Sequence, residues 1–365
     1  MKKKRFLISG GGTGGHIFPA LAIAKELEKR YLKSEILFVG ASDRMEMKKV
    51  PESGYQIKGL WISGLKRSLS MRNILFPFKL FISLLRSFLI VLRFKPDMVI
   101  GTGGYASGPV LLVASLLKIP TLIQEQNSYP GITNKLLGPL VTSICVAYSG
   151  LDRFFPKNKI HFTGNPIREE FESGYNKSDT LQTYGFSSKK PVVLIIGGSL
   201  GSKKINETIL ENYSWFVDRD VQLIWQTGAL YYERCDVAKS QLGNLAKIHS
   251  FISEMVPVLK VADVIVSRAG AIALSEICAL GKASILIPSP NVAEDHQKKN
   301  ALALSENNAA VLVEECDIEI KLFETLDTLI DKPKQRGLLE LNSKKMSKLN
   351  ATESIVNLIE ELIDD

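Results

Sequence analysis

Short aliphatic runs separated by amphipathic stretches constrain this chain more than any other feature. "FLISG", "EILFVG", "DMVIGTG", "TLIQEQ" and "SICVAY" fall in the first half. "VVLIIGGS", "QLIWQTG", "KIHSFI", "DVIVSRAG", "SILIPSP" and "AAVLVEE" fall in the second. The runs are continuously β-branched or aliphatic rather than alternating, which is the pattern of strands buried on both faces of a parallel sheet. Helical stretches such as Phe18–Tyr31 and Ile272–Leu280 lie between them. Together they give the βαβ rhythm of an α/β, doubly wound fold. At 365 residues the chain has room for two such domains, each large enough for its own core. The polar, turn-rich stretch Glu172–Pro191 reads as a linker. The expected domains are therefore 1–171 and 172–349, with the linker at 172–191 and an amphipathic helix over 350–365.

The basic start leads into a strand without an apolar h-region, so no signal peptide is expected. The four cysteines (Cys145, Cys235, Cys278, Cys316) are scattered, which fits a reducing cytoplasm better than a disulfide framework. The four histidines lie far apart, and no protein-built metal site is expected. Net charge is +8, but it is uneven: Met1–Lys95 holds 19 Lys and Arg against 6 Asp and Glu, a balance of +13, and the remainder balances at −5. The first half is built to face an anionic partner. No zinc finger, RNP motif or aromatic-interleaved basic sheet is present, so a membrane surface is preferred to nucleic acid.

Phosphate-binding chemistry is written into the loops. "GGGTGG" (Gly10–Gly15) follows a strand and opens a helix, and Gly10, Gly12 and Gly15 satisfy GxGxxG. The second strand ends on Gly40 instead of the acid that would hold a ribose, which argues against nicotinamide or flavin. His16 follows the loop directly. It is either a helix-start histidine bonded to backbone or a general base titrating near neutrality. "GTGGYASGP" (Gly101–Pro109) is another glycine loop after a strand, and "QEQN" puts Glu125 and Asn127 at a further strand end. Arg168 in "GNPIR" suits either a diphosphate or a surface ion pair. The second half repeats the plan with "GGSLGS" (Gly197–Ser202) and "SRAGAIALSE" (Ser267–Glu276). Glu276 would accept ribose hydroxyls or complement the helix dipole. Asp295, Gln297 and Asn300 are polar groups suited to sugar hydroxyls.

These motifs, in this order over nearly the whole chain, resemble the peptidoglycan N-acetylglucosaminyltransferases of glycosyltransferase family 28. The resemblance implies the GT-B fold, two Rossmann-like domains facing a central cleft, with the last helix crossing back to the first domain. It implies inverting transfer of N-acetylglucosamine from UDP-N-acetylglucosamine to the 4-hydroxyl of undecaprenyl-linked muramoyl-pentapeptide (lipid I to lipid II), with no cofactor. His16 is the expected base and Glu125 the lesser candidate. Thr13, Gly14, Gly15, Tyr105 and Asn127 are expected at the sugars, and Arg168 with Ser199 at the diphosphate. Ile252 and Ala271, Ile272, Ala273, Leu274, Ser275 and Glu276 are expected around uridine, and Gln297 at the N-acetylglucosamine hydroxyls. A lipid glycosyltransferase or epimerase of the same fold is the alternative.

The most hydrophobic segment is Met71–Pro96. Lys79 and Arg86 inside it oppose a transmembrane span, each at roughly 2.5–3.5 kcal/mol at a bilayer centre. Lys79, Arg86 and Arg93 recur every seven residues, on one stripe of a helix starting at Pro77. The segment is expected to be either a core helix with one solvated stripe or an interfacial patch, with those three cations meeting anionic headgroups. The second reading places the protein peripherally on the cytoplasmic face of the inner membrane.

Overall fold

The computed structural model describes residues 3–64, 75–167 and 176–364. The chain divides into two units, Met1–Ile167 with Lys348–Asp365, and Arg168–Ser347.

In the first unit the described strands are β1 (Arg5–Gly10), β2 (Glu35–Ala41), β3 (Gln56–Leu60), β4 (Met98–Gly103), β5 (Thr121–Glu125), β6 (Ser143–Val146) and β7 (Ile160–Phe162). They form one parallel sheet in the order β3-β2-β1-β4-β5-β6-β7. Alternate residues of β1 supply two cores. Leu7 joins Leu37, Val39 and Val99 on one face. Phe6 and Ile8 join Phe38, Met98 and the helix Gly14–Arg30 on the other. That helix buries Ile17, Ala20, Ala24 and Leu27, a stripe at helical spacing. The helix Ala351–Asp364 completes the second face with Ile355, Val356 and Ile359 fully buried. Each such aliphatic side chain contributes about 1.5–3 kcal/mol on burial. Arg30 ties the two helices together through Glu360 at 2.9 Å.

In the second unit the strands are β8 (Val192–Ile196), β9 (Gln222–Gln226), β10 (Ala246–His249), β11 (Val264–Ser267), β12 (Ser284–Leu286) and β13 (Val311–Leu312). Their order, β10-β9-β8-β11-β12-β13, repeats the doubly wound plan. Trp225 is fully buried in its core, and its indole N–H donates to Asn206 Oδ1 at 3.0 Å.

Both sheets reverse their winding direction between the first strand and the fourth, β1 and β4 in one and β8 and β11 in the other. Ligands of open α/β sheets bind at that point, beyond the carboxyl ends of the strands. The four glycine-containing loops of the sequence follow those four strands.

Two readings of the sequence are corrected here. The stretch read as a linker is partly folded: Lys177–Tyr184 is a helix, with Asn176 accepting the Ser178 N–H and Gly185 closing it at φ +66°. β3 and β7, short and only partly covered, lie outside the aliphatic runs.

Candidate active site

In the first unit the loops after β1 and β4 lie against each other. Gly11 N–H donates to Gly103 O at 3.3 Å. Gly103 and Gly104 both have positive φ, +96° and +87°. A Cβ on Gly104 would strike the Gly11 backbone, and one on Gly103 would come within 2.8 Å of the His16 ring. Thr102 Oγ1 donates to His16 O at 2.8 Å, pinning the start of the helix to β4.

His16 Nδ1 lies 2.8 Å from Gly11 O and 3.3 Å from Thr13 Oγ1. A carbonyl oxygen only accepts, so Nδ1 is the protonated nitrogen in this arrangement. In the neutral ring Nε2 then carries the lone pair a general base needs. The helix-start reading of His16 is met at Nδ1, which serves the backbone, and this tautomer leaves Nε2 unprotonated, as the base reading requires.

Glu125 is different. Its side chain is 1% exposed. Oε1 accepts the N–H and Nδ2–H of Asn127 at 3.0 and 3.2 Å. Oε2 accepts Gly131 N–H at 3.1 Å and Asn134 Nδ2–H at 2.9 Å. A carboxylate engaged by four donors holds a loop, with both oxygens already occupied. It shapes the turn carrying Asn127. Tyr105, half exposed, packs its ring on Gly64.

In the second unit, "GGSLGS" turns through Gly198 (φ +88°) and Gly201 (φ +81°), leaving Ser199 exposed. Ser202 caps the following helix, Lys203–Glu211, by accepting the Ile205 N–H. Two residues that the motifs did not single out organise this region. Gln226, buried at the end of β9, donates to Gly198 O at 3.1 Å and accepts the Ile252 N–H at 2.8 Å. Arg268, directly after β11, donates to Ser202 Oγ at 2.6 Å and to Ile287 O and Pro288 O at 3.1 Å each, and pairs with Glu315. One guanidinium thus joins the ends of β8, β11 and β12. Its only sequence signal is a charge closing the aliphatic run "DVIVSRAG".

Residues 6–146 match the glycosyltransferase family 28 N-terminal domain, and residues 192–361 match the family 28 C-terminal domain. The chain is 49% identical over 366 residues to the UDP-N-acetylglucosamine–N-acetylmuramyl-(pentapeptide) pyrophosphoryl-undecaprenol N-acetylglucosamine transferase of Flavobacterium psychrophilum, covering 100% of this chain and 99% of that protein. It is 49% identical over 369 residues to the like-named protein of Porphyromonas gingivalis, covering 99% and 96%. The crystal structure of Acinetobacter baumannii MurG matches with a TM-score of 0.79 at 26% identity, over 99% of this chain and 100% of that one. The chain belongs to glycosyltransferase family 28. It is a glycosyltransferase, and its two parallel-sheet Rossmann-like domains are those of the GT-B class.

Within this family 28 chain, the helix Ala271–Leu280 follows Gly270 after β11 and carries no side-chain cap. Ala271 and Glu276 are nearly buried, Ile272, Ala273 and Ser275 are partly exposed, and Leu274 is wholly buried. Leu274 is therefore a core residue, one position out of phase with the helix face that a ligand would meet. Ser275 Oγ donates back to Ala271 O at 3.0 Å. Ile252 is likewise buried, with its N–H already committed to Gln226. Gln297 accepts the Ser289 N–H at 2.9 Å. Asn300 is fully buried and donates to Ala269 O at 3.4 Å, so it braces the "SRAG" turn rather than meeting a sugar. Arg168 lies outside the described residues. A cavity of about 590 Å³ opens beside these loops, lined by Lys204, Ser289, Asp295, Lys298, Glu315 and Cys316. Asp295, one of the polar groups expected at the sugar hydroxyls, is among its lining residues.

The helix Phe76–Phe94 begins with Pro77 in its first turn and stops at Lys95, which adopts φ +51° before Pro96. It buries its small side, Ser83, Ser87, Ile90 and Val91. Phe78, Phe81, Leu85, Phe88, Leu89 and Leu92 are turned outward, Phe81 at 58% exposure. This corrects the core-helix alternative, in which those residues would be the covered ones. The three cations also differ. Arg86 and Arg93 are exposed, whereas Lys79 donates to Ser63 Oγ at 3.2 Å and sits over the Trp61 ring.

Proposed function

We propose that this protein transfers N-acetylglucosamine from UDP-N-acetylglucosamine to the 4-hydroxyl of the muramoyl sugar of undecaprenyl-diphospho-muramoyl-pentapeptide, with inversion at the anomeric carbon. End-to-end relatedness at 49% identity to enzymes whose names state that donor and acceptor carries the reading. In a single displacement the acceptor oxygen attacks the sugar C1 as the bond to the diphosphate breaks. UDP leaves with the electron pair, and His16 Nε2 takes the hydroxyl proton. His16 is preferred to Glu125 because its Nδ1–H is donated to Gly11 O, while Glu125 is spent on four donors. Thr13, Gly14, Gly15, Tyr105 and Asn127 are assigned to the acceptor and the transferred sugar. The second unit is assigned the donor, with Ser199 and Arg168 at the diphosphate, Ile252, Ala271, Ile272, Ala273, Ser275 and Glu276 at uridine, and Gln297 at the sugar hydroxyls. Backbone amides aimed at the departing phosphate stabilise its growing charge.

Among the described residues no helix is long and apolar enough to cross a membrane. The outward apolar face of Phe76–Phe94, flanked by Arg86 and Arg93, supports peripheral attachment to an anionic inner leaflet, where a lipid-bound acceptor resides. UDP release from UDP-N-acetylglucosamine, with and without lipid-linked muramoyl-pentapeptide, tests the reaction. Acceptor-dependent release with a disaccharide lipid product is expected. Donor turnover to an epimer without acceptor would overturn it.

A further inference from the structure

One buried acid next to the first glycine loop has no role in the reaction as described. Glu46 is 0% exposed, and among the described residues no cation is bonded to it. Its partners are backbone amides: Oε1 accepts Ala41 N–H at 3.0 Å and Oε2 accepts Gly12 N–H at 2.8 Å. Acceptance at both oxygens is the pattern of a carboxylate. Space is cleared for it, since a Cβ on Gly11 would strike its Oε1 and one on Gly40 its Cγ.

The Gly12 N–H and the Gly11 carbonyl belong to one peptide group, and that carbonyl is the acceptor of His16 Nδ1–H at 2.8 Å. Carboxylate, peptide and imidazole are thus connected in series. The amide is conjugated, so an anion on its N–H raises electron density on its oxygen. Linked hydrogen bonds polarise one another by about 10–30% per bond. We propose that Glu46 is a positioning residue that acts through the Gly11–Gly12 peptide, holding His16 in the Nδ1–H tautomer and raising the basicity of Nε2. The proposal rests on His16 being the base.

Of the other charges on the elements packed around His16, Lys25 is exposed about two and a half turns along the helix, and the following are engaged elsewhere. Glu26 and Glu360 bind Arg30 at the far end of the helix, about 20 Å away at 1.5 Å per residue. Glu28 accepts Tyr55 O–H, Lys49 pairs with Glu52, Asp97 accepts Arg5 N–H, and Asp364 pairs with Lys4. On the β4 loop the titratable neighbour is Tyr105, stacked on Gly64.

The test is the pH dependence of kcat/KM for the wild type, Glu46→Gln, His16→Ala and the double variant. Glutamine keeps the size but turns an N–H₂ toward one of two backbone donors. Glu46→Gln should lower the plateau about tenfold. It should also move the acid limb to lower pH by about half a unit or more, because the imidazolium loses its anion. UDP-N-acetylglucosamine binding should be retained, and Glu46→Gln should add less than about twofold in the His16→Ala background. A lower plateau with an unmoved acid limb, an equal loss in the His16→Ala background, or no change at all would overturn the relay. An unaltered kcat in His16→Ala would instead remove the base on which it rests. Should Glu46→Gln fail to fold, imidazole ¹⁵N NMR of the wild type decides the matter. A protonated Nδ1 is expected, and a protonated Nε2 in the neutral ring sinks the proposal.

Discussion

Two glycine loops that look alike in sequence are set in opposite electrostatic surroundings. "GGGTGG" in the first unit gives its Gly12 N–H to the buried carboxylate of Glu46, so the amide that a dinucleotide site would offer to pyrophosphate is already taken by an anion. "GGSLGS" in the second unit is braced by neutral Gln226 and, through Ser202, by the guanidinium of Arg268. A phosphate approaching the first loop meets a buried negative charge, and one approaching the second meets amides braced by Gln226 and by the Arg268–Glu315 pair. A glycine loop is therefore a backbone shape, and the side chains behind it decide whether it receives an anion or positions a base.

The largest expected effect separates the two loops by function. His16→Ala should lower kcat by about 10²–10⁴ while UDP binding persists. Equal losses in turnover and donor affinity would erase the distinction between the loops. Arg268→Ala should do the reverse, raising KM for UDP-N-acetylglucosamine about 10–100-fold. It should also lower the unfolding midpoint, because removing one partner of a mostly buried pair costs on the order of 3 kcal/mol. A normal KM would mean that Arg268 braces only the fold.

The helix Phe76–Phe94 sharpens a second contrast, between a cation that packs and cations that are exposed. Charge reversal at Arg86 or Arg93 should weaken binding to anionic vesicles by about 1 kcal/mol each. Reversal at Lys79 should weaken it less, since its ammonium is held by Ser63 and Trp61. Sedimentation at rising salt checks this, and equal effects at all three positions would argue against the difference.

The smallest effect concerns a lysine beneath the second sheet. Lys282 Nζ donates to Lys260 O at 2.6 Å and Ala262 O at 2.9 Å, and burial pushes its pKa down to about 8. In the first unit Lys159 makes the corresponding bonds to Pro139 O and Val141 O. The unfolded chain holds the Lys282 proton to about pH 10.4, so it binds more protons than the folded chain between about 8 and 10, and stability rises with pH there. The stability of the wild type relative to Lys282→Gln should grow between about pH 7.5 and 9.5 in urea unfolding. A pH-independent gap would show that burial does not shift this amine.

The aliphatic runs sufficed to reveal every interior strand of both sheets, because a strand covered on two faces must be apolar at consecutive positions. They missed β3 and β7, which are short and only partly covered and carry no such run, although the edge strands β10 and β13 do. Glycine loops, His16 and the end-to-end family resemblance were equally legible, since backbone shape and reactive side chains are local properties. Other features depended on packing. Glu46 is five residues past a strand, in a short helix with no periodic signal, and only the fold brings its carboxylate to Gly12 N–H. Leu274 and Asn300 sit inside motifs, yet helix phase turns them into the interior. The outward face of Phe76–Phe94 shares its composition with a core helix, and only its contact through Ser83 and Ser87 shows which side is covered. Sequence alone determined the element order, the chemistry available and the family. Tertiary structure decided which acid stands behind the His16 loop and which apolar face meets solvent, because these depend on contacts between residues distant in the chain.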